Sequence, residues 1–463
     1  MSLRSYLYRQ VILPSAQPAT HRGVAGRWRF YSNLERGSLE QNLELQKVAL
    51  KQLLQDAYEH VPFYRRRFDK AGFNPNAFRE VDDLRGIPYL TRDDLRQSFE
   101  SLKSSQYNEA EMPRAATGGT TSNPVPFLRT TESVQSKNAL QMRFDGWAGL
   151  NAGDKVFYVW GALQDFAQRP SWRWHVFDRY IMRRVYAPTS LFNEKLLEQY
   201  RVQMSRFRPR AIYAYPTPLA LFCEYLRESG RDFPAVKSVI CTAEPLFSAQ
   251  RNIIESVLGC RVFEQYGSRE FGMIAGECEA HAGLHINPLA AVVEFIPVED
   301  SATELFEIIV TDLLNFGMPL IRYRVGDCAA PVSGSCACGR GYPRIAQLAG
   351  RTTDVFYLPD GSKVPGVSLT NRVVQHIPGI EQMQIIQEQL DHIHVKYVPG
   401  VSFARADLDF LTGKLRNFFP LVVRITFEQV EEIPRERSGK TRFCICRIPA
   451  MTRDLAMPQA QED

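Results

Sequence analysis

The sequence predicts an α/β protein: a large body of parallel sheet covered by helices, a barrel-like β section, and a small mobile α+β lid domain. Three observations carry this. First, the short apolar runs Val156–Trp160, Ala211–Tyr215, Val236–Thr242 and Arg261–Gln265 read as buried strands. They alternate with helical patterns at Leu191–Arg206, Pro218–Ser229 and Ser248–Leu258. That βαβ order implies a largely parallel sheet with both faces covered. Second, beyond residue 290 the strands alternate in polarity, at Ala291–Pro297 and Leu305–Thr311, as in antiparallel sheet. Third, Gly350-Arg351 reads as a boundary before a compact unit. That unit contains a hairpin (Met383–Gln389, His392–Val398), a helix at Ala404–Phe418 and strands at Val422–Glu428 and Arg442–Ile448.

In chain order, residues 1–36 form a basic arm, with six arginines against Glu35. The arm alone carries the whole net charge of +5, so the remainder balances. Such a charge is too weak to argue for nucleic acid. The arm reads either as a peripheral contact with anionic lipid or an acidic partner, or as a solvated segment draped on the body. Ile12-Leu13-Pro14 is too short for a secretory apolar region, which sets a cytoplasmic expectation. Ser38 can cap a helix over residues 38–61, whose apolar residues recur at helical spacing until Pro62. Thr91 can cap a second, Arg92–Leu102. The body is expected over 37–349 and the lid over 350–463. The composition, 44% hydrophobic and 23% charged over 463 residues, is that of a globular multidomain chain. No apolar run reaches the roughly 18 residues of a membrane-spanning helix. Nine cysteines without a secretory signal argue against a disulfide framework.

Four segments carry chemistry. Thr117-Gly118-Gly119-Thr120-Thr121-Ser122-Asn123-Pro124 combines flexible glycines with hydroxyls and free N–H groups, which suits a polyphosphate. A Gly/Thr-rich surface turn has the same composition. Tyr266-Gly267-Ser268-Arg269-Glu270 directly follows a strand, where open α/β sheets bind ligands. Its tyrosine can stack on a base and its carboxylate can hold Mg²⁺. In Arg322-Tyr323-Arg324-Val325-Gly326-Asp327, Asp327 can accept hydrogen bonds from ribose hydroxyls. In Arg435–Thr441, Lys440 can be delivered to a developing negative charge. Each segment alone also reads as an ordinary turn or ion pair.

Their order resembles the adenylate-forming superfamily and, within it, the phenylacetate–CoA ligase family with its CapK-like branch. Thr117–Pro124 is similar to the family's phosphate loop, Thr242-Ala243-Glu244-Pro245 to its adenine segment, and Tyr266–Glu270 to its Tyr-Gly-x-x-Glu motif. Arg322–Asp327 matches Arg-Tyr-x-x-Gly-Asp, Gly350–Asp354 resembles the hinge, and Ser438-Gly439-Lys440 matches the C-terminal Ser-Gly-Lys. The resemblance implies ATP-dependent formation of an acyl-adenylate from a small carboxylic acid, then transfer to coenzyme A. It implies phosphates on Thr117, Gly118, Gly119, Thr120 and Thr121. Adenine falls to Ala243, Glu244, Pro245, Tyr266 and Gly267, ribose to Asp327, Mg²⁺ to Glu270, the nucleotide near the hinge to Arg351, and catalysis to Lys440. Gly118, Ser122, Asn123 and Thr353 depart from the family pattern. So does Leu358-Pro359-Asp360-Gly361-Ser362, in the segment that approaches the second half-reaction. The acceptor therefore has an alternative outside coenzyme A, in capsular polysaccharide assembly. A nucleotide-binding scaffold is a further alternative, against which Asp327 and Lys440 both argue.

Cys278 and His285, with Cys336 and Cys338, offer two short-spaced ligand pairs. Spacing alone leaves ordinary thiols and a structural Cys₃His zinc site both open, with His281 competing for the fourth position. Resemblance to zinc-carrying relatives points to Zn²⁺. Ser171–Tyr186 interleaves basic and aromatic residues and reads as an amphipathic helix rather than a nucleic-acid surface.

Overall fold

The computed structural model describes residues 3–16, 21–117, 125–160, 172–188, 194–297, 306–346, 348, 350–351, 355–360, 363–365, 369, 373, 377, 379–400, 403–434 and 442–448. A nine-stranded mixed sheet forms the centre of the body. Five of its strands are parallel, in the order Arg261–Ser268, Ser238–Thr242, Ala211–Ala214, Val156–Trp160, Arg184–Pro188. Their side chains alternate between two faces. One face packs Phe157, Val159, Ile212, Val239, Cys241 and Val262 against Met204, Leu219, Phe222 and Ile254 of the intervening helices. The other face gathers Val156, Ala211, Tyr213, Ile240 and Phe263, with Tyr158 and Trp160, against Ala148 and Leu150. The sheet then turns antiparallel through Gly272–Glu277 and Leu284–Ile286.

The four neighbouring strands Ala291–Pro297, Phe306–Asp312, Tyr323–Ala329 and Gly350–Arg351 are antiparallel. Among the described residues they form an open sheet, so the barrel-like section is not a closed barrel. At the C-terminal end, Ile380–Gln389 and His392–Pro399 make the expected hairpin, flanked by parallel neighbours Cys444–Cys446 and Arg424–Gln429. With the helix Arg405–Arg416 they enclose a separate core around Phe356, Ile385, Ile393, Leu411, Leu415 and Phe419.

The sequence-based elements mostly recur, with boundaries shifted by a few residues. Ser38 caps Leu39–His60 through a reciprocal pair with Gln41, and Pro62, where the pattern ends, opens a new helix, Pro62–Ala71. Proline is well suited to a first helical position because its missing N–H has no partner there anyway. Two differences matter below. The stretch read as one helix to Tyr186 is helical over Trp172–Val176 and Phe177–Ile181, then becomes the strand Arg184–Pro188. The basic arm is helical over 3–16 and over Val24–Leu34.

Candidate nucleotide site and metal cluster

The parallel strands end together at Trp160, Pro188, Ala214, Thr242 and Ser268. At that edge two of the motifs meet. The Tyr266 hydroxyl donates to Asp327 Oδ2 at 3.0 Å. Asp327 stands opposite Arg351 in strand register, so the backbone before the small domain is fastened beside it. Gly267 cannot be replaced without movement, because a Cβ there would strike the Gly272 carbonyl. That close approach folds the chain after Tyr266 back on itself. Beyond Thr242, Ala243 adopts a φ of 72°, a left-handed conformation that a non-glycine residue keeps only where its surroundings hold it. Glu244 is buried, and a carboxylate oxygen accepts from the Thr217 N–H at 3.3 Å. Pro245 follows, partly exposed.

Thr117 closes the base of the glycine-rich loop. Its N–H donates to the Val125 carbonyl at 2.9 Å and its Oγ1 accepts from the Val125 N–H at 3.1 Å. Strands Arg114–Ala116 and Pro126–Leu128 flank the loop. Gly118, Gly119, Thr120, Thr121 and Lys440 lie outside the described residues, as does the side chain of Arg351.

Glu270 is buried beneath this edge. Its carbonyl accepts from Lys137 Nζ at 2.8 Å, and the same ammonium lies 2.6 Å from Asp312 Oδ2. Lys137 and Asp312 are only 7% and 1% exposed. One ion pair therefore joins the helix Thr131–Trp147, the turn after Tyr266 and the end of the strand Phe306–Asp312. Sequence reasoning missed both residues. The helix buries Ser133, Gln135, Ser136 and Lys137 along with its apolar residues, so it has no clean apolar stripe. The cap was the readable signal: Thr130 accepts from the Ser133 N–H.

On the face covered by this helix, Tyr158 stacks on Tyr186 and Tyr213 at 4.9 and 5.4 Å, and Trp160 meets Tyr215 edge-on at 4.6 Å. Behind them Gln141 and Gln265 hydrogen-bond to Asp145. Burial pushes the Asp145 carboxyl up to about 6, against those bonds.

Cys278, His285, Cys336 and Cys338 converge, with one ligand atom from each lying within 4.8 Å of all the others. Cys278 Sγ is 3.7 Å from Cys336 Sγ, and Cys338 Sγ is 3.4 Å from His285 Nε2. A tetrahedron with metal–sulfur bonds of 2.3 Å has edges of about 3.8 Å, so the spacing suits a single ion. His281 is not in the group; its Nδ1 lies 3.0 Å from Glu277 Oε1. Burial, with Arg340 and Arg344 nearby, pulls the His285 imidazole down to about 4, and a neutral ring is the ligating form. Burial raises the Cys278 thiol to about 12.

The fold these elements define is that of the adenylate-forming enzymes. Similarity to 2-hydroxyisobutyryl-CoA ligase bound to an adenylate extends over 92% of this chain and 93% of that one, with a TM-score of 0.71 and 19% identity. The chain is a homologue of phenylacetate–coenzyme A ligases and of CapK. It is 26% identical to the phenylacetate–coenzyme A ligase of Thermus thermophilus, across 86% of this chain and 95% of that protein. It is 24% identical to CapK of Staphylococcus aureus, across 80% and 81%. Residues 356–447 match the CapK C-terminal domain family.

Replacing Lys137 by Met leaves Asp312 buried without its partner. We expect a loss of about 3–5 kcal/mol in urea unfolding, and substantial recovery in Lys137→Met with Asp312→Leu. Equal stability of wild type and the single variant removes the pair from its anchoring role.

Proposed function

We propose that this chain is an AMP-forming acid–thiol ligase. The observation that carries the reading is the meeting of Tyr266 and Asp327, beside the backbone of Arg351, at the carboxyl edge of the parallel strands. A carboxylate oxygen of the substrate attacks the α-phosphorus of ATP, and pyrophosphate leaves. The thiol of coenzyme A then attacks the acyl carbon, and AMP leaves. The protein's part is positioning and charge stabilisation. Thr117–Thr121 cradle phosphates, Ala243–Pro245, Tyr266 and Gly267 hold adenine, and Asp327 holds the ribose. The Glu270 carboxylate is the group that would hold Mg²⁺, and Arg351 serves the nucleotide near the boundary. Lys440 stabilises charge on the carboxylate and α-phosphate in the first step, with 37–349 acting as body and 350–463 as a lid. The aromatic residues Tyr158, Trp160, Tyr213 and Tyr215 suit an acid with an apolar side chain.

Pyrophosphate exchange across an acid library tests the first half-reaction, and thioester formation the second. The departure at Leu358–Ser362, inside the unit that matches the CapK domain, supports a second reading with a sugar or amine acceptor in capsular polysaccharide assembly. AMP release that needs such an acceptor, and not coenzyme A, decides for it.

Lys440→Ala is expected to lower pyrophosphate exchange by roughly 10²–10³ while leaving thioesterification of supplied acyl-adenylate largely intact. Equal loss in both half-reactions excludes a role confined to the first.

The Cys₃His cluster is proposed to hold Zn²⁺. Four protein donors leave no open position, so the role is structural. Protein purified without chelator should carry one zinc per chain, and stripping it should lower the melting temperature. Cys336→Ser with Cys338→Ser should reproduce that loss and His281→Ala should not. Less than about a tenth of a zinc per chain returns these residues to ordinary thiols.

A further inference from the structure

A parallel sheet has two edges, and the amino edge of this one is cationic. Lys155, Arg183, Arg210 and Lys237 each immediately precede one of four neighbouring parallel strands. With Arg4 and Arg208 they line a cavity of about 370 Å³ in which Asp154 is the only acid. Arg210 lies 3.1 Å from Asp154, which leaves five cations against no further carboxylate in that lining. Lys155 donates to the Phe207 carbonyl, and Arg4 to that of Gly153. Arg183 and Arg208 adopt φ values of 57° and 51°. Strain of this kind persists where surroundings impose it and clusters at binding sites. Burial, then the charges of Arg183, Arg179, Arg4 and Arg208, holds Lys155 below the ordinary lysine range.

Beside this basin the helical segment 3–16 leaves much of its apolar surface uncovered. It turns Ser5, Tyr8, Arg9 and Leu13 inward. Outward it presents Leu3, Tyr6, Leu7, Val11 and Ile12, at 75, 41, 45, 53 and 39% exposure. Tyr8 packs over Gly153 and its hydroxyl donates to the Ile181 carbonyl, which seats the segment on the loops of the amino edge. The adjoining helical turns expose Val176, Tyr180 and Ile181. Apolar and aromatic residues thus flank a pocket of uncompensated positive charge. A soluble anion explains the pocket and not the apolar residues. A hydrophobic protein contact explains the apolar residues and not the excess of cations. A bilayer of anionic lipids presents phosphate to the one and acyl boundary to the other.

We propose that this face docks the protein on the surface of an anionic membrane, without insertion. Among the described residues no helix is long and apolar enough to cross one. Docking through the amino edge leaves Tyr266 and Asp327, at the carboxyl edge, open to substrate. The inference rests on the amino edge and the helical segments seated beside it, and stands apart from the reaction proposed above.

Co-sedimentation of the full chain with phosphatidylcholine vesicles, with and without phosphatidylglycerol, tests it. Binding is expected only to the anionic vesicles and should weaken with salt. Arg4→Gln with Arg208→Gln and Lys237→Gln should reduce partitioning about tenfold or more. Leu7→Ser with Val11→Ser should also reduce it, with the melting temperature kept. Absence of binding to anionic vesicles overturns the proposal, as does equal binding to neutral ones. Full competition by inorganic phosphate, with the serine variant binding normally, assigns the basin to a small anion instead. Self-association of the wild type that the serine variant abolishes, without vesicle binding, assigns the face to a second copy. The wild-type selectivity between vesicles decides even where a variant fails to fold.

Discussion

The buried ammonium of Lys137 is the constraint from which the site is built. It is the meeting point of a helix, a turn and a strand that are far apart in sequence, and it bonds the backbone of Glu270 as well as the carboxylate of Asp312. A pair removed from water this completely is weak as a source of net stability, because desolvating both charges costs nearly what their attraction returns. Its effect is on specificity of arrangement: one ammonium is held by Asp312 and by the Glu270 carbonyl at once. The turn that carries Glu270 is therefore held where the helix and the strand agree. Gly272 fits against the lysine's alkyl chain, so stem and head of one side chain both fix the turn.

The proposed metal would apply the same kind of constraint through the Cys₃His cluster one strand away. Cys278 directly follows the strand Gly272–Glu277, His285 lies on the next one, and Cys336 and Cys338 belong to the loop leading to the strand Arg344–Ile345. Crosslinking through one ion would hold that loop, and with it the path of the chain toward Gly350-Arg351. The surrounding packing is preformed. Trp147, from the end of the helix that carries Lys137, lies edge-on to His285 with ring centres 5.8 Å apart, and Arg340 stacks on it at 4.6 Å. One helix thus supports the turn at Glu270 from its middle and the Cys₃His group from its end.

What was legible in the sequence follows from this division. Tyr266, Asp327 and the glycine-rich loop stood out because ligand chemistry demands particular residue types at short spacing. The parallel strands were legible because burial on both faces leaves continuous apolar runs. Lys137 and Asp312 were not, since an ion pair across 175 residues leaves no local pattern. The helix that holds Lys137 was obscured by the same fact: a helix that buries polar residues to serve a site loses the periodicity by which helices are recognised. The strand Arg184–Pro188 was hidden because Arg183 and Arg184 at its start read as the polar face of a helix, whereas Arg184 is paired with Asp178. The fourth metal ligand was undecided on spacing because His281 and His285 are close in sequence. Only the fold separates them, by aiming His281 at Glu277.

The arm shows the reverse failure, and it is instructive about charge. Counting arginines gave the excess but not its location. Arg4 alone of the arm's six lines the basin, while Arg9 is buried over the ring of Trp28, 3.6 Å from its centre. The other cations of that basin come from between Lys155 and Lys237, four of them from strand starts, in a stretch whose own excess of +7 is cancelled elsewhere in the chain and so disappears from the overall count. A parallel sheet collects them because every strand enters from the same side. The geometry that brings Tyr266 and Asp327 together at one edge necessarily brings another set of loops together at the opposite edge. A doubly wound fold therefore offers two gathering places. Their separation by the length of a strand is what lets one carry the Tyr266–Asp327 pair while the other is cationic and bordered by apolar side chains.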